Sequence, residues 1–123
     1  MANIFIKEIH KNEDYFDLDY NPEVTISFAS PDMSYMMAEA ALQLMKPKKI
    51  IQNRDKVSLF YETFILSDYY NVKVIGGLTS GYDGSGVRAF QQLLETCGIP
   101  GKESDEYITS SQYTKAVLTV EVE

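Results

Sequence analysis

The sequence predicts a single α+β domain with a mostly antiparallel sheet and two helices, at about 31–46 and 85–97. The chain has 123 residues, close to the usual size of one domain. Its 45% hydrophobic and 24% charged residues are typical of a globular protein with a buried core. Two of its β-rich segments are joined by a link too short for the crossover that parallel strands require, which favours a hairpin.

Strands are predicted where β-forming residues cluster or where apolar and polar residues alternate. These segments are 3–9, 23–29, 49–51, 57–66, 69–75 and 115–122, and we expect the last to lie inside the sheet. In the second segment Val24, Ile26 and Phe28 share one face. Segments 10–22 and 101–114 are predicted to be irregular, and Asn53-Arg54-Asp55 to be a turn.

The first helix has a clear start and a clear end. Ser30 can cap a free amide, proline suits the first helical position and Asp32 complements the helix dipole. Pro47 ends the helix at about Lys46. Helical spacing predicts an apolar side made of Met33, Met37, Ala41, Leu44 and Met45. Together with Met36 the methionines span more than one face, which indicates either plain core packing or burial in a subunit interface.

The segment 76–86 holds five of the seven glycines and leads directly into the second helix. Val87, Phe90, Leu94 and Cys97 follow helical spacing, and Gly98-Ile99-Pro100 supplies the stop. The start of this helix suits a phosphate or another anion, because it offers free amides, the positive end of the helix dipole and Arg88 in its first turn.

Within this loop Gly81, Gly84 and Gly86 permit positive φ and leave no Cβ to hinder a ligand oxygen. The Ser85 hydroxyl can cap the helix or donate to an anion. The alternative is a glycine-rich turn that only caps a helix. The ring of Tyr82 is a candidate for stacking on a ligand, with a sheet or core role as the alternative.

Arginine is scarce, so either Arg54 or Arg88 near the glycine loop would be a preferred bidentate phosphate clamp. For Arg54, in the predicted turn, the alternative is a solvated surface charge. Tyr107, in the polar segment after the second helix, is a weaker candidate for ligand contact.

The net charge of −7 argues against binding to duplex nucleic acid or anionic membranes, but allows a cationic protein partner. Cys97 is the only cysteine, which excludes an internal disulfide and predicts a small core residue. His10 is the only histidine, so we expect no metal site and no cofactor. No set of catalytic residues is visible, and we therefore expect that the protein is not an enzyme. No signal sequence or long apolar run is visible, so we expect a cytoplasmic protein.

The chain resembles the phage-encoded Thoeris anti-defence sponges at the run Gly81-Tyr82-Asp83-Gly84-Ser85-Gly86-Val87-Arg88-Ala89-Phe90. This run follows a β-rich region and leads into an amphipathic helix that ends at Gly98-Ile99-Pro100. Their motif is a Gly-Tyr-x-Gly-x-Gly loop that opens a helix, and size and element order are similar over nearly the full length. The resemblance implies a homodimer or larger homo-oligomer in the infected bacterial host's cytoplasm. It also implies that the protein sequesters a cyclic ADP-ribose isomer without cleaving it.

On this sequence the resemblance implies a pyrophosphate at Gly84, Ser85, Gly86 and Arg88, and a ring near Tyr82. It makes Arg54 and the segment from Tyr107 to Thr109 candidates for closing contacts from elsewhere on the dimer. Asp83 departs from such a set, because its charge would repel phosphate unless it points to solvent or holds a ribose hydroxyl. Two other functions stay open: an acidic inhibitor of a defence or nucleic-acid-binding protein, and a small hydrolase or transferase acting on nucleotides.

Overall fold

A computed structural model describes residues 3–18, 22–27 and 30–122. In these residues six strands form one sheet in the order β1-β6-β3-β4-β5-β2. All neighbouring strands are antiparallel except β2 and β5, which confirms the predicted class. The strands are β1 Asn3–Glu8, β2 Val24–Ser27, β3 Lys49–Asp55, β4 Phe60–Leu66, β5 Asn71–Ile75 and β6 Lys115–Glu121.

Three helices cover one face of the sheet: α1 Pro31–Leu42, α2 Ser85–Thr96 and α3 Gly101–Thr109. Strand residues alternate between the two faces, so Ile50 points to the helices and Ile51 points away. The main core lies between helices and sheet, with Phe90 and Leu94 of α2 fully buried. Burial of this apolar surface supplies most of the driving force for folding.

The other face of the sheet is partly covered by the segment after β1. Ile9, Tyr15 and Phe16 pack on Ile51 and its neighbours in a second, smaller cluster. The Asn53 side chain exchanges two hydrogen bonds with the backbone of Phe16, at 2.7 and 3.0 Å. Segment 10–22 is irregular apart from a short 3₁₀ turn at Asn12–Asp14, and 19–21 lie outside the described residues.

The strands at 3–9, 69–75 and 115–122 are confirmed within a residue or two at each end, and β6 lies inside the sheet between β1 and β3. β2 is confirmed over Val24–Ser27, while Phe28 and Ala29 lie outside the described residues. The predicted hairpin at Ser67-Asp68 is confirmed by the antiparallel pairing of β4 and β5.

The predicted turn at Asn53-Arg54-Asp55 is wrong. β3 continues through these residues, which pair with β4 on one side and β6 on the other. The chain reverses at 56–59 instead, where Leu59 adopts a φ of 59°. Polar composition suggested a turn, but the tertiary structure supplies buried partners that make a strand favourable.

The first helix is shorter than predicted and rotated. Ser30 Oγ accepts the Met33 amide as expected, but α1 ends at Leu42, where the backbone tightens into bonds from Gln43 and Leu44 to residues three positions earlier. Its buried residues are Ser34, Ala38 and Ala41. Of the predicted apolar side, Ala41 and Met45 contact the core, whereas Met33, Met37 and Leu44 are exposed. Small residues occupy the buried side because they let the helix lie close to α2 and the sheet. The Tyr35 hydroxyl is hydrogen-bonded to Thr96 Oγ1 of α2 at 2.9 Å.

The second helix matches its prediction, and Gly98 has the left-handed φ of 90° that ends it. The predicted loop over 101–114 is wrong in its first part, because α3 forms there. Ser104 and Ile108, four residues apart, are buried against the rest of the fold. One apolar residue in a polar stretch is too weak a pattern to indicate a helix, and tertiary burial of Ile108 decides the outcome.

Candidate functional site

The middle of the glycine loop is hydrogen-bonded to the two neighbouring helices, α2 and α3. Its Thr79 amide donates to the Gly86 carbonyl at 3.1 Å, in the first turn of α2. Its Gly81 amide donates to the Ile108 carbonyl at 2.7 Å, in the last turn of α3. These two loop amides therefore serve the fold and are not open to a ligand.

The start of α2 is different. Gly84 is the N-cap, no side chain caps the helix, and the first internal bond runs from the Arg88 amide to the Gly84 carbonyl at 3.0 Å. The amides of Ser85, Gly86 and Val87 have no acceptor within the described residues. The Ser85 hydroxyl does not cap the helix. The first turn thus keeps unsatisfied donors at the positive end of the helix dipole; Ser85 is exposed, whereas Gly86 and Val87 are buried.

The glycines are explained largely by packing inside the loop. A Cβ on Gly86 would lie 2.4 Å from Thr79 Oγ1, and one on Gly81 would lie 2.7 Å from Arg54 Nη1. Gly81 also has a φ of 91°. At Gly84 the obstacle is the ring of Tyr82, at 2.7 Å. The predicted clearance for a ligand oxygen is therefore occupied by the protein's own atoms.

Arg54 is buried beneath the loop at 1% exposure, so the alternative of a solvated surface charge is wrong. Its guanidinium donates to Ser80 Oγ at 3.3 Å, to the Tyr113 carbonyl at 2.9 Å and to the Gln112 carbonyl. Its Nε has no partner among the described residues. Burial lowers the pKa of Arg54. Arg54 therefore lies under the candidate site and is not exposed to a ligand from outside.

Lys56 is a candidate that the sequence analysis missed. Its Nζ donates to the Gly81 carbonyl at 3.3 Å and to the Ser111 carbonyl at 2.9 Å. Neither Lys56 nor Arg54 has an ion pair in the part of the chain that the structure describes, whereas other cations such as Lys48 and Lys73 do. Two uncompensated positive charges therefore meet at Gly81. Lys56 follows the last residue of β3, and its amide still donates to the Thr114 carbonyl at 3.1 Å, so its side chain lies on the same side as that of Arg54. Because the sequence predicts a turn at 53–55, it gives no signal that these two residues share a side.

Arg88 and Asp83 form an ion pair at 3.3 Å at the mouth of the loop. Their side chains are 65% and 91% exposed, so the pair is worth little and both groups remain accessible. Asp83 points to solvent, one of the two orientations that avoid repelling a phosphate. A ligand could thus replace Asp83 as the partner of Arg88 at small cost.

Tyr82 lies across the loop with its ring 42% exposed. Its hydroxyl is hydrogen-bonded to Thr79 Oγ1 at 2.7 Å, and its ring centroid lies 6.4 Å from that of Tyr61. Tyr61 is itself buried, and this burial raises the pKa of its hydroxyl. The ring of Tyr82 is therefore held in place with one part still open to solvent.

Tyr107 and Thr109 flank Ile108, whose carbonyl accepts the Gly81 amide, so the end of α3 lies beside the loop. Tyr107 is exposed, and Thr109 Oγ1 donates to the Asp105 carbonyl at 2.8 Å. The fold therefore brings residues 81–88, Lys56 and the end of α3 together, with Arg54 as a buried floor.

The other chemistry-bearing residues lie elsewhere. His10 is exposed beside Glu8, at 3.5 Å, and the described residues contain no cluster of three or more potential metal ligands. Cys97 is half-buried against the core, and burial raises its thiol pKa to about 12. A cavity of about 450 Å³ lies on the opposite face of the sheet beside Tyr15, Asp55 and Phe60.

Comparisons with known proteins add no family to this picture: no protein-family model, curated protein or solved structure matches the chain. Among the described residues, no helix is both long and apolar enough to cross a membrane. Fold and site together define a small α+β protein in which a helix N-terminus and three cations surround one glycine loop.

Proposed function

We propose that the chain binds a cyclic ADP-ribose-type signalling nucleotide at the start of α2 and holds it without cleaving it. In a bacterial cytoplasm this sequestration would block Thoeris anti-phage defence. The observation that carries the proposal is the first turn of α2, where three consecutive amides lack an acceptor within the described residues. Such amides bind phosphate oxygens at helix N-termini.

The charges around this turn support a pyrophosphate as the bound group. Arg88 is accessible and held only by a solvent-exposed carboxylate. Lys56 and Arg54 add positive charge at Gly81 that no carboxylate in the described residues neutralises. In a protein of net charge −7 this local concentration of cations favours a small anion over a polyanion.

Partly exposed rings suit the remaining parts of the ligand. Tyr82 offers an aromatic surface beside the first turn, and Tyr107 a second one at the end of α3. A cyclic ligand is preorganised, so it loses less entropy on binding than an open chain would. We propose a homodimer or larger homo-oligomer as the functional form, as the resemblance implies.

The test is equilibrium binding of cyclic ADP-ribose isomers to the full chain, followed by heat release and mass spectrometry of the ligand. We expect an intact ligand to be recovered. Arg88→Gln should weaken binding by about tenfold or more, since a hydrogen bond to a charged group contributes ~1.5–3 kcal/mol. Lys48→Gln, which removes one surface charge paired with Asp68, is the matched control. No retention, or a cleaved product, would contradict the proposal.

A second candidate function is docking to a basic protein surface as an acidic inhibitor. The net charge of −7 and the exposed hairpin tip of Val57 and Leu59 favour it. Leu59 also has a left-handed φ of 59°, and strained exposed residues occur at functional surfaces. In a pull-down experiment, the amount of a basic partner that is recovered should decrease steeply with salt and should not change when nucleotides are added. That result would support this function over sequestration.

A further inference from the structure

The outer side of α1 carries an apolar stripe that none of the described residues covers. It consists of Met33, Met36, Met37, Ala40 and Leu44, and we call it the Met stripe. Its three methionines and its leucine are 45% to 72% exposed. They recur at intervals of three or four residues, so they line one side of the helix and the turn after it.

The Met stripe has the composition of an interface, and its area accounts for part of one. Glu39, the only charged residue between Met33 and Met45, has its carboxylate bonded to the Tyr35 hydroxyl at 2.5 Å, away from the stripe. The exposed apolar area is on the order of 400 Å², about half of the roughly 800 Å² that each partner contributes to a standard interface. Methionine is also enriched at interfaces, where its flexible side chain fills irregular space.

Charges at the two ends of the stripe indicate which partner fits. Asp32 precedes the stripe and Lys46 follows it, and neither forms an ion pair within the described residues. A second α1 running antiparallel would place the partner's Lys46 opposite Asp32, and the same contact would recur at the other end. Antiparallel helices also align their dipoles favourably. The stripe is therefore complementary to itself under a two-fold rotation.

The packing of the side chains agrees with this arrangement. In the antiparallel register that sets Met33 against the partner's Leu44, Met37 lies against the partner's Ala40, and Asp32 comes within one residue of the level of the partner's Lys46. A cavity of about 230 Å³ adjoins Leu44 and is lined by Met45, Tyr69 and Tyr70 among others. Met33 can enter this cavity on the partner, and small Ala40 lets the two helices approach closely near the axis.

We propose that a second copy of this chain covers the Met stripe, with the two α1 helices antiparallel about a two-fold axis between Met37 and Ala40. This goes beyond the proposed oligomer because it assigns the interface, and it does not depend on any nucleotide. The dimer forms through apolar contact, and the pairs of Asp32 with the partner's Lys46 fix its orientation.

The test is sedimentation equilibrium of the full chain without ligand over a wide concentration range. We expect the mass to rise from 14.0 kDa to twice that value. Met37→Glu places two like charges near the axis and should raise the dimer dissociation constant at least tenfold, as should Met36→Glu. Val57→Glu introduces the same charge at a residue that is 82% exposed on the β3–β4 turn, and should change the constant less than twofold.

A charge exchange tests the orientation. Asp32→Lys and Lys46→Asp should each weaken the dimer, and the double variant should restore it, since every pair is then reversed. Circular dichroism melts of the monomers confirm that each variant folds. A wild-type chain that stays at 14.0 kDa, a dimer insensitive to both methionine variants, or a double variant weaker than each single one overturns the proposal.

Discussion

Two glycines at the start of α2 should respond very differently to alanine, although both would place a Cβ closer than 3.0 Å to another atom. At Gly86 the Cβ would meet buried Thr79, with Oγ1 at 2.4 Å, and the backbone carbonyl of Gly77 at 3.1 Å. At Gly84 it would meet only the ring of Tyr82, a partly exposed side chain tethered by a single hydrogen bond to Thr79, so the ring can shift more easily than buried groups or backbone can. Gly86→Ala should therefore be much more destabilising than Gly84→Ala.

The expected change in the free energy of unfolding is the difference between a steric cost and an entropic gain. Overpacking a close contact costs ~1–3 kcal/mol, and replacing glycine by alanine within a helix regains ~0.5–1 kcal/mol. Because the Cβ at Gly86 would meet a buried side chain and a backbone carbonyl, the cost lies at the upper end of this range, and Gly86→Ala should lower the free energy of unfolding by about 2 kcal/mol. For Gly84→Ala, the cost of alanine at an N-cap and the gain in chain entropy nearly cancel, which leaves a change of about 0.5 kcal/mol or less.

The assay is urea unfolding followed by circular dichroism, with the slope on denaturant checked to be unchanged. A double-mutant cycle with Thr79→Ala isolates the steric contact. Removing the Thr79 side chain should make Gly86→Ala less costly, with a coupling of about 0.5–3 kcal/mol. Equal costs for the two glycine variants, or strict additivity with Thr79→Ala, would refute the reasoning.

Three further predictions concern buried or bonded groups. Arg54→Met should cost about 2 kcal/mol in urea unfolding, because the carbonyls of Gln112 and Tyr113 lose a charged donor; a change within about 0.5 kcal/mol would mean that these bonds contribute little. Cys97 should react with iodoacetamide in the native state about a thousandfold more slowly at pH 8 than a free thiol, because burial raises its pKa from 9.0 to about 12, and should react readily in urea. The pKa of Cys97 is higher in the folded than in the unfolded state, so the thiol ionises first in the unfolded chain. The contribution of this residue to the free energy of unfolding is therefore complete below pH 9 and is lost as the pH rises towards 12. For Asp55, burial raises the pKa, but hydrogen bonds from Ser58 and Val57 outweigh it and leave the pKa below its usual value. Its contribution to stability should disappear as the pH falls below the ordinary aspartate range, and Asp55→Asn should flatten that part of the stability profile.

The parts of the fold that the sequence predicts well are those with strong local signals. Ser30-Pro31-Asp32 begins α1, the apolar spacing of α2 gives its length, and the short link at Ser67-Asp68 produces a hairpin. Each of these signals comes from neighbouring residues, and backbone geometry limits what such residues can form. The class of the domain follows from these elements.

The errors occur where a distant contact outweighs a local preference. Arg54 is polar and was expected in a turn, but Ser80 and the 112–113 backbone supply partners that let it be buried in β3. Burial of Ile108 stabilises α3, and this burial depends on contacts with α2 and with the loop at Gly81, which are distant in sequence. Core packing of the methionines of α1, one of the two alternatives, does not occur for Met33, Met36 and Met37, because the small residues Ser34, Ala38 and Ala41 let another side of the helix pack more closely.

The candidate site shows the same division. The amino acid sequence alone determines that a glycine-rich segment opens a helix with Arg88 in its first turn, because glycine spacing and helical periodicity act over a few residues. Only the tertiary structure decides which groups meet there. It places Lys56 and Arg54 at Gly81, occupies the amides of Thr79 and Gly81, and leaves those of the first turn of α2 without an acceptor in the described chain. Hydrogen bonds and charges between residues far apart in sequence depend on packing, and packing follows from the whole chain at once.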